Sequence, residues 1–224
     1  MTEKDLAKTV LFKNMSASEI RAALSALKAE VRSYKKGETL LFAGDVTEKT
    51  GLLLNGSVII ESYDMWGNRL ILSHVGEGQV FAEIYAILPA EPLLVNVTAH
   101  SDCRVVFLNV GDLRQETKDA ESWRLKFSAN LMAIIAKKGL TLSGRIFHTA
   151  PKTIRGRVMA YLNSVSLQKN SMEFDIPFDR QQLADYLNLE RSALSKELGL
   201  MVRDGLIETK RNHFKLIKPD EHRK

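Results

Sequence analysis

Four side chains between positions 191 and 196 carry the most specific chemistry in this sequence: Arg191, Ser192, Ser195 and Lys196. Their spacing of i, i+1, i+4 and i+5 puts them on one face of a helix, near its N-terminus. Two cations and two hydroxyls on such a face suit a DNA major groove, where Arg or Lys bonds guanine and Ser bonds several base edges. The surrounding stretch, Phe178 to Leu206, supplies what is needed to hold them. It reads as two short helices with a tight turn between them. Asp179 and Gln182 form a capping-box-like pair at the first start. Leu183, Ala184 and Leu187 fall on one buried face. Asn188 sits where the chain turns, and Asn tolerates the left-handed conformation. Leu189 plugs the turn, and the second helix buries Leu194 and Leu198. Any amphipathic helix pair has a polar outside, so the next residues matter. Gly205 to Ile217 reads as two short strands around a polar turn at Arg211 and Asn212. A hairpin there makes a winged helix, with Lys210 and Arg211 at the wing tip and Arg180 and Gln181 at the first helix start as phosphate contacts.

The bounds agree with this reading. The chain has 224 residues, 45% hydrophobic and 26% charged, enough for two modest domains with their own cores. The net charge of +5 is unevenly spread: residues 1–149 hold 18 basic and 17 acidic side chains, residues 150–224 hold 14 and 10. A surplus of +4 on the last third of the chain is the footprint of a phosphate-binding module. The single cysteine, Cys103, excludes an intrachain disulfide and reads as a small buried thiol rather than a redox sensor. No stretch approaches a membrane span and the first residues are not a signal peptide, so a cytoplasmic protein is expected.

Along the chain, Ser16 to Glu19 is a capping box opening a helix with Ile20, Ala23, Leu24 and Leu27 at helical spacing. From Val31 the period changes. Short apolar runs alternate with Gly-containing turns, including Asp64 to Asn68, and two further strands span Leu93 to Ala99 and Arg104 to Leu108. That pattern predicts a sandwich or jelly-roll barrel. Glu121 to Ile146 then reads as one long helix whose seam, Leu131, Ile135, Leu142 and Ile146, calls for a parallel partner from a second subunit. Thr149 to Thr153 breaks the pattern at Pro151, and Glu173 to Pro177 gives a strand before the helix pair. The expected architecture is α+β: a jelly-roll β-barrel domain over 1–118, a dimerisation helix and hinge over 119–149, and a winged helix-turn-helix over 150–224.

Helix, Gly-punctuated barrel, long helix, hinge and winged helix-turn-helix resembles the layout of the CRP/FNR superfamily of bacterial transcription regulators, over nearly the whole chain. The local matches are Tyr34-x-Lys36-Gly37-Glu38-x-Leu40-x-Phe42-x-x-Gly44-Asp45, Gly56-x-Val58, Gly78-x-Val80-Phe81-x-Glu83, and Arg180 through Leu198. The resemblance implies a homodimer on a palindromic operator, with Arg191, Ser192, Ser195 and Lys196 facing the bases. Glu190 departs from the pattern, since relatives often place a capping Ser there. The sensor departs further. Cyclic-nucleotide-binding members carry a Gly-Glu-Leu segment and, later, an Arg-Ser or Arg-Thr that pairs the cyclic phosphate. Here Glu83 remains, but Leu93 and Leu94 stand in the Arg and Ser positions. A buried phosphate without its cation is costly. The expected effector pocket is therefore Glu83, Tyr85, Leu93 and Leu94, with Leu142 and Ser143 from the long helix, suited to an uncharged or aromatic small molecule. A filled barrel serving only as a scaffold is the rival, and a cavity around Tyr85 separates the two. The oxygen-sensing members' N-terminal cysteines are absent. His74 and His100 are the candidate axial ligands for a haem, each reading first as an ordinary histidine. A cupin-like metalloenzyme needs clustered ligands, and no His-x-His pair occurs, so neither enzyme nor resident metal or cofactor is expected. Activation would need contacts to RNA polymerase, for which the sequence shows no readable motif.

Overall fold

The computed structural model describes residues 3–67, 69–88, 90–114 and 122–217, which form two compact units, 1–137 and 138–224. Asn68, Pro89, Glu121 and the expected boundary at 118/119 lie outside the described residues. Among those residues no helix is long and apolar enough to cross a membrane.

The first unit opens with α1 (Glu3–Leu6) and α2 (Ala17–Ala26), the latter started by the expected Ser16–Glu19 capping box. Eight strands follow: β1 (Glu30–Tyr34), β2 (Thr39–Leu41), β3 (Lys49–Asn55), β4 (Val58–Tyr63), β5 (Arg69–Val75), β6 (Val80–Phe81), β7 (Asn96–Ala99) and β8 (Cys103–Asn109). They form two antiparallel four-stranded sheets, ordered β1-β8-β3-β6 and β2-β7-β4-β5. The run expected from Leu93 starts at Asn96 instead. Leu93 is held outside it by backbone bonds with Gly44 and Asp45.

Two strands show why the layers stack as they do. β3 and β8 are apolar at consecutive positions, as strands covered on both faces must be. Leu53, Val105 and Phe107 point to the space between the sheets, where they meet Val58, Val97 and Phe81. Leu52, Val106 and Leu108 point the other way and meet Leu11, Phe12 and Ile20 of the N-terminal segment. Gly51 is required between them. A Cβ there would come within 2.1 Å of the Phe81 ring, which itself stands edge-on to Phe107 at 6.1 Å.

The long helix α4 runs Ser122–Thr149. Trp123, Phe127 and Leu131 are buried in the same core as Phe12, and Ile135 packs against it. This corrects the expected seam: Leu131 and Ile135 face their own domain, while Leu142 and Ile146 are exposed. The boundary between units also falls inside α4, after Lys137, rather than at 149/150.

The second unit continues with α5 (Ile154–Lys169), β9 (Glu173–Asp175), α6 (Arg180–Tyr186), α7 (Arg191–Arg203), β10 (Ile207–Lys210) and β11 (His213–Leu216). Pro151 ends α4 but does not open α5. Thr153 does so, its hydroxyl accepting from the Gly156 amide at 3.0 Å. Val158 and Leu162 of α5, Leu183 and Ala184 of α6, Leu194, Leu198 and Met201 of α7, and Phe214 of the hairpin make one core. The strand expected at 173–177 is a third member of the wing, in the order β10-β11-β9.

Candidate nucleic-acid interface

The helix pair is built as its local sequence dictates. Asp179 accepts from the Gln182 amide at 2.8 Å while the Gln182 side chain accepts from the Asp179 amide at 2.9 Å, a complete capping box. Asn188 takes the left-handed conformation at φ 53°, and the Leu189 amide returns to the Ala184 carbonyl at 2.9 Å. α7 starts at Arg191 although Glu190 makes no side-chain cap. Its buried ridge, Leu194, Leu198 and Met201, leaves Arg191, Ser192, Ser195 and Lys196 exposed together, as their spacing predicts.

Arg155 holds α7 from behind. Its guanidinium bonds Glu197 at 2.7 Å and Asp204 at 2.7 Å, one at the middle of the helix and one at its C-cap. A fork reaching two carboxylates fixes the helix against rotation better than a single contact. Arg157 similarly donates to the carbonyls of Leu187 and Asn188, at 3.2 and 3.1 Å. Sequence reading missed both, because nothing in local periodicity says which cations turn inward.

The phosphate set divides. Lys210 and Arg211 are exposed at the wing tip, and the two-residue loop is closed by Arg211 at φ 56°. A non-glycine residue there is mildly strained, so the tip is held by its neighbours. The Asn212 carbonyl accepts from the Ile176 amide at 2.9 Å. Arg180, by contrast, is turned onto the wing: it lies 5.3 Å from the centre of the Phe214 ring and bonds the Thr209 hydroxyl at 3.2 Å. It ties α6 to the hairpin rather than standing free in solvent. Gln181 is exposed and donates to Asp185 at 2.8 Å.

The expected sensor residues differ in exposure. Glu83 and Leu93 are buried, Tyr85 is half-buried, and Leu94 is 73% exposed. Leu142 and Ser143 are exposed on α4, in the second unit. Ala82, just before α3 (Glu83–Ile87), holds a left-handed φ of 60° that glycine would adopt without strain. Two surface clefts of about 350 and 630 Å³ open on this unit; one is lined by Ser33, Tyr34 and Asp102, the other by Thr9, Leu54 and Gln79. Neither includes Glu83, Tyr85 or Leu93. Arg69, the basic residue nearest this stretch on its N-terminal side, is committed to the buried Glu61. Burial pushes the Glu61 carboxyl up, but bonds from Thr98 and Arg69 outweigh it and hold the group below its ordinary value. Cys103 is buried, and burial raises its thiol pKa, away from the reactive thiolate. His74 and His100 are exposed and meet edge-on, ring centres 5.5 Å apart. No group of three metal-ligating side chains forms among the described residues.

The comparisons define the class of both units. Residues 31–119 match the cyclic nucleotide-binding domain and residues 156–221 the Crp-like helix-turn-helix domain. The chain is 24% identical over 203 residues to the transcriptional activator protein FnrL of Cereibacter sphaeroides, covering 85% of this chain and 77% of that protein. It is 23% identical over 181 residues to the cAMP-activated global transcriptional regulator CRP of Haemophilus influenzae, covering 79% of each. The crystal structure of the Thermus thermophilus catabolite activator protein shares the fold, with a TM-score of 0.51 at 22% identity over 93% of this chain and 94% of that one. The protein is a DNA-binding transcription regulator, and it belongs to the CRP/FNR superfamily.

One titrating group braces the wing. His213 on β11 stands opposite Asp175 on β9, its ring nitrogens 2.9 Å from Asp175 and 3.0 Å from Glu173. Bonding to Asp175 first, then to Glu173, raises the imidazole pKa above its ordinary value. Protonated His213 therefore stabilises the folded wing below the ordinary histidine pKa, and that contribution is lost as pH rises through the raised one. His213→Gln should flatten this dependence. Between about pH 6 and about pH 8 the wild-type melting temperature should fall relative to the variant's in thermal unfolding; parallel curves would disprove the brace.

Proposed function

We propose that the chain acts as a homodimer on a palindromic operator, reading bases with Arg191, Ser192, Ser195 and Lys196, and that it responds to no cyclic nucleotide. The observation that carries the DNA reading is the outward set of these four side chains on a helix locked from behind by Arg155. Lys210 and Arg211 add phosphate contacts from the wing. If the two cations make bidentate contacts to guanine, Arg191→Ala and Lys196→Ala should each cost about 1–3 kcal/mol and flatten base preference in the half-site. Arg211→Ala should weaken all sequences alike and lower the salt slope by about 1. Selection of duplexes from a random library by each variant is the measurement. An Arg191→Ala protein that recovers the wild-type consensus would show that another face reads the DNA.

Support for the dimer comes from α4. Leu125, Ala129, Met132, Ala136, Gly139, Ser143 and Ile146 are all exposed and follow one another by alternating steps of four and three. That is a heptad seam, with small residues allowing close approach of a second helix. A two-fold dimer would place its recognition helices about one DNA turn apart. Sedimentation at micromolar concentration should give twice the chain mass, and Met132→Asp with Ile146→Asp should give monomers. A wild-type monomer in the presence of operator would end this reading.

For the sensor, charge decides. A cyclic phosphate would lie near the buried carboxylate of Glu83 with Leu93 in place of a cation, and Arg69 is already neutralised by Glu61. Desolvating an anion there without a partner is prohibitive. An uncharged or aromatic ligand at Tyr85 and Leu93 suits these residues, with an effector-independent scaffold as the second reading; the burial of Leu93 favours the latter. Calorimetry with millimolar cyclic AMP should show no binding, whereas micromolar affinity would refute the charge argument. RNA polymerase is the expected partner if the protein activates.

A further inference from the structure

The C-terminal end of α4 is keyed into the helix-turn-helix by an imidazole that the DNA contacts do not use. His148, on the last turn of α4, is 7% exposed. Its Nδ1 lies 2.9 Å from the Tyr186 hydroxyl of α6, and its ring stands edge-on to Tyr161 of α5 at 5.4 Å. Phe178 closes the box, 4.9 Å from Tyr186 and 5.9 Å from Tyr161. It is also the residue immediately before Asp179, the cap of α6. Thus one ring touches two further elements and indirectly the start of the helix pair.

The same turn of α4 reaches the bend between the two helices. Arg145 lies over the Tyr186 ring at 5.9 Å and donates to the Asp185 carbonyl at 3.4 Å and to Asn188 Oδ1 at 3.3 Å. Asn188 is the left-handed residue three positions before Arg191, so a displacement of Tyr186 is passed through these contacts to the N-terminus of α7. We propose that His148 is a positioning residue for operator recognition, whose neutral ring holds the end of α4 against the helix-turn-helix bend, and that operator affinity is lost when the ring takes up a proton.

Charged side chains occur on each of the elements that meet at His148. From α4 comes Arg145; from α5, Arg157, bonded to the Leu187 and Asn188 carbonyls; from α6, Asp185, whose carboxylate is bonded to Gln181. Among the described residues no carboxylate bonds His148 itself. Burial raises the hydroxyl pKa of Tyr161 to about 12 and that of Tyr186 above its ordinary value, so neither supplies a negative charge near neutrality. Burial also lowers the His148 pKa. A cation on the last turn of a helix is ordinarily favoured by the helix dipole, but here desolvation outweighs it. The neutral latch is intact above the ordinary histidine pKa and is lost as pH falls through the lowered one.

The proposal rests on the DNA-binding reading, and its test separates the two. Duplexes recovered from a random library at about pH 7.5 are titrated by fluorescence anisotropy with the full chain and with His148→Phe, at constant ionic strength. Between about pH 7.5 and about pH 5.5 wild-type affinity for the selected duplex should fall relative to His148→Phe, by about twofold once half of the rings are protonated. Affinity for a scrambled duplex should not fall, because general gain of charge on acidification strengthens phosphate binding. In the wild type, NMR should show the His148 ring titrating below the ordinary value and the Asn188 and Leu189 amides shifting with the same midpoint. An identical acid loss in His148→Phe, a ring that titrates at or above the ordinary value, or amides that ignore its transition would each overturn the proposal. If His148→Phe does not fold, the wild-type ring and amide titrations decide. If no duplex is recovered, the DNA-reading assignment fails while the coupling of ring to bend is still measured.

Discussion

One helix has to satisfy two hydrophobic cores, and much of the molecule follows from that constraint. The first half of α4 puts Trp123, Phe127 and Leu131 into the core of the sheet unit, beside Phe12 and Ile20. Its last turn puts His148 among Tyr161, Tyr186 and Phe178 of the other unit. Leu125, Met132 and Ile146 are taken up by neither core and stay exposed along the helix.

The reading helix shows the same economy at smaller scale. Apolar contact alone would let α7 slide and rotate on its ridge of Leu194, Leu198 and Met201. The paired bonds from Arg155 to Glu197 and Asp204 are partly exposed, and each is worth little as stability. Their value is geometric, since base recognition fails with displacements that barely change folding energy. Arg180, stacked on Phe214, does for the wing what Arg155 does for the helix. The cations of this unit therefore divide into those that hold its elements together and those that remain exposed.

The sheet unit keeps the frame of the domain it matches over residues 31–119. The left-handed backbone before Glu83 persists even with Ala82 in place of glycine. Leu93 is buried, and Leu94 beside it lies in a bend ahead of β7 and is exposed. With Arg69 paired to Glu61, an anion entering this space would meet carboxylates and aliphatic carbon. The match to the cyclic nucleotide-binding domain over residues 31–119 thus describes the backbone of this unit.

The sequence by itself determined what depends on neighbours in the chain. Capping boxes at Ser16 and Asp179, the left-handed Asn188, the Arg211–Asn212 turn and the exposed face of α7 are set by residues within one helical turn or one hairpin of each other. Short apolar runs between Gly-containing turns likewise revealed the β-sheet unit, because a strand covered on both faces must be apolar at consecutive positions. Only the tertiary structure decided which face of α4 is already taken, that Arg180 turns onto Phe214, that β9 joins the wing, and that Leu93 and Leu94 part company. It also brought His148 to Tyr186, 38 residues away along the chain. A helical period reports that a residue lies on an apolar face without saying which surface will cover it, and an arginine reads the same whether its guanidinium ends in water or on a ring. Those choices are made by packing between segments distant in sequence, where local pattern carries no information.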